Sequence, residues 1–300
     1  MTRWSDKLLA SLDQRAAVLS TESGLVQVAK EGVGPQVLSI HGSPGGFDQG
    51  LAWAQHLQDG GCEVIAPSRP GYLRTPLDSG RSPAQQADLY ASMLDVLLVE
   101  KVTVLGISSG GPSAVHFAAR HPERTRALLL DAAVLLPITP ENNWMERKVF
   151  ESSVGPWVSC QIANRWPKLA ASLLVEALSG GLTKDRRLAA IDWITSDPAR
   201  LRSAAGLSTS LAPRKFRETG HKNDEANEIN LAALPLSRIK APTLITQGTN
   251  DAFPLLDHAI SAVDCIDGAE LILVEDGHHG LPWCSGFTEV AQRQISLAHT

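Results

Sequence analysis

A serine enclosed by glycines is the first place in this chain where chemistry could occur. The run Gly106-Ile107-Ser108-Ser109-Gly110 follows strand-type residues, Val102 to Leu105, and precedes a helical pattern that starts at Pro112. A Gly-x-Ser-x-Gly turn between a strand and a helix is sharp and strained, and it lifts the serine hydroxyl out of the backbone. The helix N-terminus beneath the turn favours negative charge. This context predicts that Ser108 is a nucleophile.

A serine hydroxyl is a weak nucleophile until a base takes its proton and a carboxylate orients that base. Two later segments supply these groups, each directly after a predicted strand. Asp251 follows the run Pro242 to Thr246, and His278 follows the run Leu271 to Val274. The sequence therefore predicts a catalytic triad of Ser108, Asp251 and His278.

Other residues compete for two of these roles. Asp131 and Asp257 are alternative carboxylates, and His279 directly follows His278. A metal site at the paired histidines is not expected, because neighbouring side chains rarely point at one ion and no H-E-x-x-H pattern is present. We therefore expect neither a metal nor a cofactor.

Composition narrows the class of protein. The chain has 300 residues, 43% of them hydrophobic, and a net charge of -5, with no basic excess for nucleic acid. No apolar run approaches the roughly 20 residues that span a bilayer, and the N-terminus lacks a signal-peptide core. We expect a cytoplasmic protein with a small-molecule substrate, no nucleic-acid partner and no membrane span.

Strand-type and helix-type patterns alternate through most of the chain, which predicts a mostly parallel, eight-stranded α/β sheet with helices on both faces. The predicted strands cover 17–19, 25–28, 37–40, 62–67, 102–105, 127–134, 242–246 and 271–274, and the main helices cover 51–57, 83–98, 112–121 and 290–297.

An N-terminal helix precedes this pattern, within residues 1–14. Its apolar residues Trp4, Leu8, Leu9 and Leu12 have the spacing of one helix face. We expect this face to pack on the body of the protein, and a homodimer contact is the alternative.

The alternation breaks between Leu136 and Pro235, where the chain becomes helical and rich in loops. We predict a helical cap over 136–235, inserted into a core made of 1–135 and 236–300. Most tryptophans of the cap are expected to pack its own small core, and Trp144 and Trp157 are candidates for contact with substrate. The polar run from Glu218 to Glu228 is predicted to be a mobile loop.

The chain order of the three triad residues resembles that of the α/β-hydrolases, in particular the capped esterase and lactonase-like members. The resemblance covers nearly the whole chain except the N-terminal helix and the cap. It implies the α/β-hydrolase fold, and it favours His278 over His279 because His278 directly follows a glycine, as in the family motif.

The same resemblance implies an oxyanion hole. The loop His41-Gly42-Ser43-Pro44 resembles the His-Gly-x-Pro loop of the family. Because Pro44 has no N–H, the expected donors are the backbone N–H groups of Ser43 and Ser109. His41 is expected either to brace the loop or to contact substrate.

The segment Ser68 to Thr75 resembles another family loop but departs from it at two positions. Ser68 stands where the family usually has Asp, and Leu73 stands where it has Gly. Both positions shape the turn and the rim of the pocket.

The resemblance implies a serine hydrolase that cleaves a carboxylic ester or lactone of a small, moderately apolar molecule through an acyl-enzyme. It does not separate this activity from those of C–C bond hydrolases, thioesterases or perhydrolases, which can use the same triad. A non-catalytic ligand-binding member of the fold is an alternative from another class.

Overall fold

Eight strands form one sheet in the order β1-β2-β4-β3-β5-β6-β7-β8. The computed structural model describes residues 2–139, 155–253 and 256–300. The strands are β1 Ala17–Thr21, β2 Gly24–Glu31, β3 Gln36–Ile40, β4 Glu63–Pro67, β5 Val102–Ile107, β6 Thr125–Asp131, β7 Thr243–Gly248 and β8 Glu270–Val274. β2 pairs antiparallel with β1 and β4, and every other pair is parallel, which confirms the predicted sheet.

Helices pack on both faces of the sheet, as predicted. They are α1 Thr2–Asp13, α2 Phe47–Trp53, α3 Gln55–Asp59, α4 Pro83–Val96, α5 Gly111–Arg120, α6 Gly155–Arg165, α7 Pro167–Leu178, α8 Lys184–Ser196, α9 Pro198–Thr209, α10 Glu218–Ile229, α11 Leu256–Cys265 and α12 Phe287–Ala298. One apolar layer joins α1, α2 and α12 to the sheet, and a second layer joins α4, α5 and α11 to its other face.

Local signals explain where individual helices begin and how they pack. The hydroxyl of Ser82 accepts a hydrogen bond from the N–H of Gln85, whose side chain accepts one from the N–H of Ser82, so α4 begins with a capping box. The apolar face of α1 packs on the body, since Leu9 and Leu12 are buried.

The segment between β6 and β7 carries the inserted helices α6 to α10. The predicted mobile loop at 218–228 is wrong, because these residues form α10. Its polar composition misled the prediction. Asp224 and Glu228 lie one helical turn apart, and both side chains are buried against the core instead of facing water.

Parallel strands place their carboxyl ends along one edge of the sheet. Ser108 follows β5, Asp251 follows β7, and the pair His278-His279 follows β8. The candidate residues for chemistry therefore all lie at this edge, where open α/β sheets bind their ligands.

Candidate active site

The turn at Ser108 has the strained geometry that its sequence predicts. Ser108 has a φ of 49°, in the left-handed region that non-glycine residues rarely adopt. A Cβ on Gly106 would lie 2.5 Å from the Cβ of Ala114, and one on Gly110 would lie 2.3 Å from the carbonyl oxygen of Ile40. Only glycine fits at these two positions, so the sequence Gly-x-Ser-x-Gly allows β5 and α5 to approach closely around the serine.

The carboxylate of Asp251 contacts the ring of His279. The Nδ1 atom of His279 lies 2.9 and 3.1 Å from the two carboxylate oxygens. Because a carboxylate only accepts hydrogen bonds, Nδ1 carries the hydrogen, and Nε2 is left as the acceptor that a general base needs. Asp251 is held in turn by the side chain of Gln247 at 2.9 Å and the N–H of Phe253 at 2.8 Å.

This arrangement corrects the predicted base, because His278 does not reach Asp251. The His278 side chain is buried, and its Nδ1 accepts a hydrogen bond from the N–H of Gly280 at 3.1 Å. Its Nε2 has no hydrogen-bond partner in the described part of the chain. Burial lowers the pKa of His278 to about 4, so the ring is neutral at pH 7.

The ring of His279 lies at the edge of the core, next to aromatic side chains. Its ring centroid lies 4.6 Å from that of Phe253 and 6.4 Å from that of Trp53. The backbone N–H of His279 donates a hydrogen bond to the carbonyl of Leu178 at 3.0 Å. His279 and Ser108 both lie in the described part of the chain, and no hydrogen bond joins the His279 ring to the hydroxyl of Ser108. Catalytic hydrogen bonds are often long until substrate binds.

The two competing carboxylates are placed elsewhere. Asp131 accepts hydrogen bonds from Trp53 at 2.9 Å and Gln294 at 2.7 Å, and burial raises its pKa to about 6. Asp257 is exposed on α11. Within the described part of the chain, neither carboxylate is hydrogen-bonded to a histidine ring, whereas Asp251 is.

The loop before α2 lies directly beside Ser108. A Cβ on Gly42 would lie 3.1 Å from the Cβ of Ser108. The His41 ring is fully buried. Its Nε2 accepts a hydrogen bond from the backbone N–H of Arg69 at 2.9 Å, and its Nδ1 donates one to the carbonyl of Gly42 at 2.7 Å. Burial and the charge of Arg69 keep the pKa of His41 well below its usual value.

These contacts correct one of the predicted substrate-binding residues. Both ring nitrogens of His41 are engaged inside the loop, so the ring braces the loop and is not placed to touch substrate. Trp157 lies on α6 with 39% of its surface exposed, and its contact with substrate stays a prediction. Trp144 lies outside the described residues.

A buried ionic cluster beside Ser109 was missed by the sequence analysis. Arg69 pairs with Asp224 of α10, and Tyr72 donates a hydrogen bond to the same carboxylate. Glu228 lies one turn along the helix, beside the hydroxyl of Ser109. The spacing of Asp224 and Glu228, four residues apart, places both on one helix face, and this signal could have revealed a functional face in a segment that looked only polar.

The described residues contain neither a membrane-spanning helix nor a cluster of metal ligands. None of their helices has the length and apolar character needed to cross a membrane. They also contain no group of three or more histidine, cysteine, aspartate or glutamate side chains that could hold a metal ion.

Comparisons with known proteins agree with this architecture. A profile described as the alpha/beta hydrolase fold matches residues 35–283. The uncharacterized hydrolase YcgS of Bacillus subtilis (strain 168) is 28% identical over 275 residues, covering 89% of this chain and 93% of that protein. The 2-hydroxy-6-oxononadienedioate/2-hydroxy-6-oxononatrienedioate hydrolase of Klebsiella pneumoniae is 27% identical over 257 residues, covering 82% of this chain and 81% of that protein.

A solved structure shows the same fold over nearly the full length. The alpha/beta hydrolase fold protein from Nakamurella multipartita superposes with a TM-score of 0.87 and 34% identity, covering 95% of this chain and 99% of that one. The extent of the profile match and this likeness place the chain in a family: it belongs to the alpha/beta hydrolase fold family.

Proposed function

We propose that the protein is a serine hydrolase that cleaves a carboxylic ester or lactone, with Ser108, His279 and Asp251 as its triad. The observation that carries this proposal is the pairing of the His279 Nδ1 with both oxygens of Asp251, at the sheet edge that holds the strained Ser108. A binding protein would need neither the paired imidazole nor the strained turn.

The chemistry follows from these positions. His279 takes the proton of the Ser108 hydroxyl through Nε2 while the serine oxygen forms a bond to the substrate carbonyl carbon. The carbonyl becomes a tetrahedral oxyanion, which collapses as the alkoxide leaves and accepts the proton from His279. Water then repeats the same steps on the acyl-enzyme and releases the acid. Asp251 orients the ring and stabilises its charged form.

The N–H groups of Ser43 and Ser109 are the proposed donors to the oxyanion. Two observations support this role. The loop that carries Ser43 borders Ser108 at Gly42, and the carbonyl of Ser108 accepts a hydrogen bond from the N–H of Val134 at 3.0 Å. That carbonyl belongs to the same planar peptide as the N–H of Ser109, so the bond fixes the direction of the donor.

The inserted helices are proposed to form the cap over this edge, within the predicted boundaries of 136–235. Helices α7 and α10 reach the site through Leu178 and Asp224. The proposed substrate is a small, moderately apolar molecule.

A second candidate reaction is hydrolysis of a C–C bond, since the Klebsiella relative is named for a hydrolase of 2-hydroxy-6-oxo dienedioates. The same triad serves both reactions, and the identity of 27% does not decide between them. Thioester hydrolysis and perhydrolysis are further reactions that the same triad can carry out.

A panel of substrates tests the proposal. It contains p-nitrophenyl acetate and butyrate, a δ-lactone, an acyl thioester and a 2-hydroxy-6-oxo dienoate, each assayed with wild type, Ser108→Ala and Ser113→Ala. We expect an ester or lactone to be turned over fastest and Ser108→Ala to lose at least about 10³-fold in kcat/KM. Ser113 lies on α5, and among the described residues its hydroxyl bonds the side chain of Gln86, so its variant should keep its activity.

The outcomes separate the candidates. Preferential turnover of the dienoate would replace the ester proposal with C–C bond hydrolysis. An ester activity that survives in Ser108→Ala would overturn the assignment of the nucleophile. No turnover of any substrate, together with no reaction of Ser108 with a serine-directed probe, would point to the binding protein.

A further inference from the structure

Helix α10 has one buried polar face, and that face points at the loops of the proposed oxyanion hole. Asp224 and Glu228 are buried on it, with 4% and 5% of their surfaces exposed. Near the start of the helix, His221 Nδ1 lies 2.9 Å from the hydroxyl of Ser43. Burying two carboxyl groups is unfavourable unless they are paired, so their partners should explain the arrangement.

The guanidinium of Arg69 is the main partner, and it is almost fully buried. Nη1 and Nη2 donate to the two oxygens of Asp224 at 2.8 and 2.5 Å, a bidentate pair. The same two nitrogens donate to the carbonyl of Ser109 at 3.2 Å and to the carbonyl of Gly42 at 3.3 Å. One side chain, held by α10, therefore touches both segments that supply oxyanion donors.

The contact with Gly42 fixes a specific donor. The carbonyl of Gly42 and the N–H of Ser43 belong to one planar peptide and point in opposite directions. Arg69 and His41 both bond that carbonyl, so together they fix where the N–H of Ser43 points. A positively charged donor on the carbonyl also polarises the peptide and strengthens its N–H as a donor.

Tyr72 connects the same carboxylate to the side chain of Ser43. Its hydroxyl donates to Asp224 and lies 3.0 Å from the hydroxyl of Ser43. The packing is close, because a Cβ on Gly220 of α10 would lie 2.2 Å from the Tyr72 ring. Helix α10 can pack this closely against Tyr72 only with glycine at position 220.

Glu228 completes the face at Ser109. Its carboxyl lies beside the Ser109 hydroxyl, and burial, followed by the charge of Asp224, raises its pKa to about 8. At neutral pH the group is mostly protonated, so the buried face carries one ionic pair, Arg69 with Asp224, and not two carboxylates competing for one guanidinium.

Resting on the function proposed above, we infer that α10 acts as a support for the oxyanion hole, with Arg69, Tyr72 and Asp224 as positioning residues. The helix holds Arg69 and Tyr72, which in turn hold the peptide and side chain of Ser43 and the carbonyl of Ser109. Formation of the oxyanion hole is thereby linked to docking of the insertion on the core.

The test compares two buried tyrosines. Tyr72→Phe removes the hydroxyl that joins Asp224 to Ser43. Tyr90→Phe is the matched control, since Tyr90 is also fully buried and its hydroxyl has no hydrogen-bond partner among the residues described. Asp224→Asn, which leaves the buried Arg69 without an ionised partner, is the second variant, and its folding is checked by thermal unfolding.

Two readouts separate positioning from general structure. One is the kcat and KM for p-nitrophenyl acetate. The other is the Kd for phenylboronic acid, whose boron accepts an electron pair from the Ser108 oxygen as the proton passes to His279, giving a tetrahedral anion. Loss of a direct oxyanion donor costs roughly 10²- to 10³-fold in kcat, so we expect about tenfold for Tyr72→Phe, with KM within about twofold.

The boronate Kd should rise by the same factor in Tyr72→Phe, and Tyr90→Phe should match wild type in both readouts. Equal kcat and equal boronate Kd in the two tyrosine variants would overturn the inference, as would a rise in KM alone. A fluorophosphonate probe that fails to label Ser108 in wild type would instead overturn the proposed function on which it rests. Labelled Ser108 with indistinguishable tyrosine variants would reject only the role of α10.

Discussion

Two adjacent histidines at the end of β8 have opposite environments. The ring of His279 reaches Asp251, whereas that of His278 turns into the core, where Nδ1 accepts from the N–H of Gly280. Asp276, just before them, has a φ of 54°, so the chain reverses sharply there. The order of residues in the sequence does not reveal which of two neighbours a reversed turn directs at the carboxylate.

A matched pair of variants tests this assignment. His279→Gln should lower kcat/KM by at least about 10³-fold with little change in stability, because it removes the base and leaves a polar side chain in place. His278→Gln should keep most of the activity and lower the thermal unfolding temperature, because it disturbs a buried ring. Ester hydrolysis and thermal unfolding of both variants provide the measurement.

The opposite pattern would restore the sequence-based assignment. If His278→Gln were inactive and His279→Gln active, the imidazole beside Asp251 would be a structural pair and the triad proposed here would be wrong. Equal loss in both variants, with both proteins folded, would also contradict a single base.

At the scale of elements, buried ion pairs join the inserted helices α6 to α10 to the core. Arg217, just before α10, donates to the carboxylate of Asp48 on α2 at 2.8 and 3.0 Å and to the carbonyl of Gly45 at 2.6 Å. It also donates to the carbonyl of Ala212 at 2.9 Å. The insertion therefore docks next to the loop that carries Ser43.

Arg217→Met should destabilise the protein by about 3–5 kcal/mol. Removing the arginine of a buried ion pair leaves the carboxylate of Asp48 without a compensating charge. Lys215→Met is the control, because Lys215 is exposed and lies 3.8 Å from Asp6. Exposed pairs contribute at most about 1 kcal/mol, so its effect should be small. Urea unfolding measures both variants, and similar values for the two would show that Arg217 does not fasten the insertion.

The elements differ in how well the sequence reveals them. All eight strands and the turn at Ser108 are readable, because apolar periodicity and the glycines at 106 and 110 act locally. The predicted helix 51–57 divides into α2 and α3, with Ala54 between them. Helix α10 was hidden, because Arg69, the ionic partner of its buried Asp224, lies 155 residues earlier in the chain, and local composition carries no record of that contact.

At the scale of the whole molecule, the sheet brings distant residues to one edge. Ser108, Asp251 and His279 follow three different strands, and the antiparallel pairs of β1 and β2 lie at the far end of the sheet order. The strand context predicted this meeting of serine, carboxylate and histidine. The role of Arg69 could not be predicted, because it depends on how an inserted helix docks on a loop.

An activated serine at position 108 can be detected by covalent labelling without knowledge of the substrate. A fluorophosphonate probe is reacted with wild type, Ser108→Ala, His279→Gln and His278→Gln, and the modified residue is mapped by mass spectrometry. We expect labelling at Ser108 in wild type and His278→Gln, none in Ser108→Ala, and labelling slowed at least about 10³-fold in His279→Gln. Labelling at another residue, or equal labelling rates in the two histidine variants, would contradict the proposed triad.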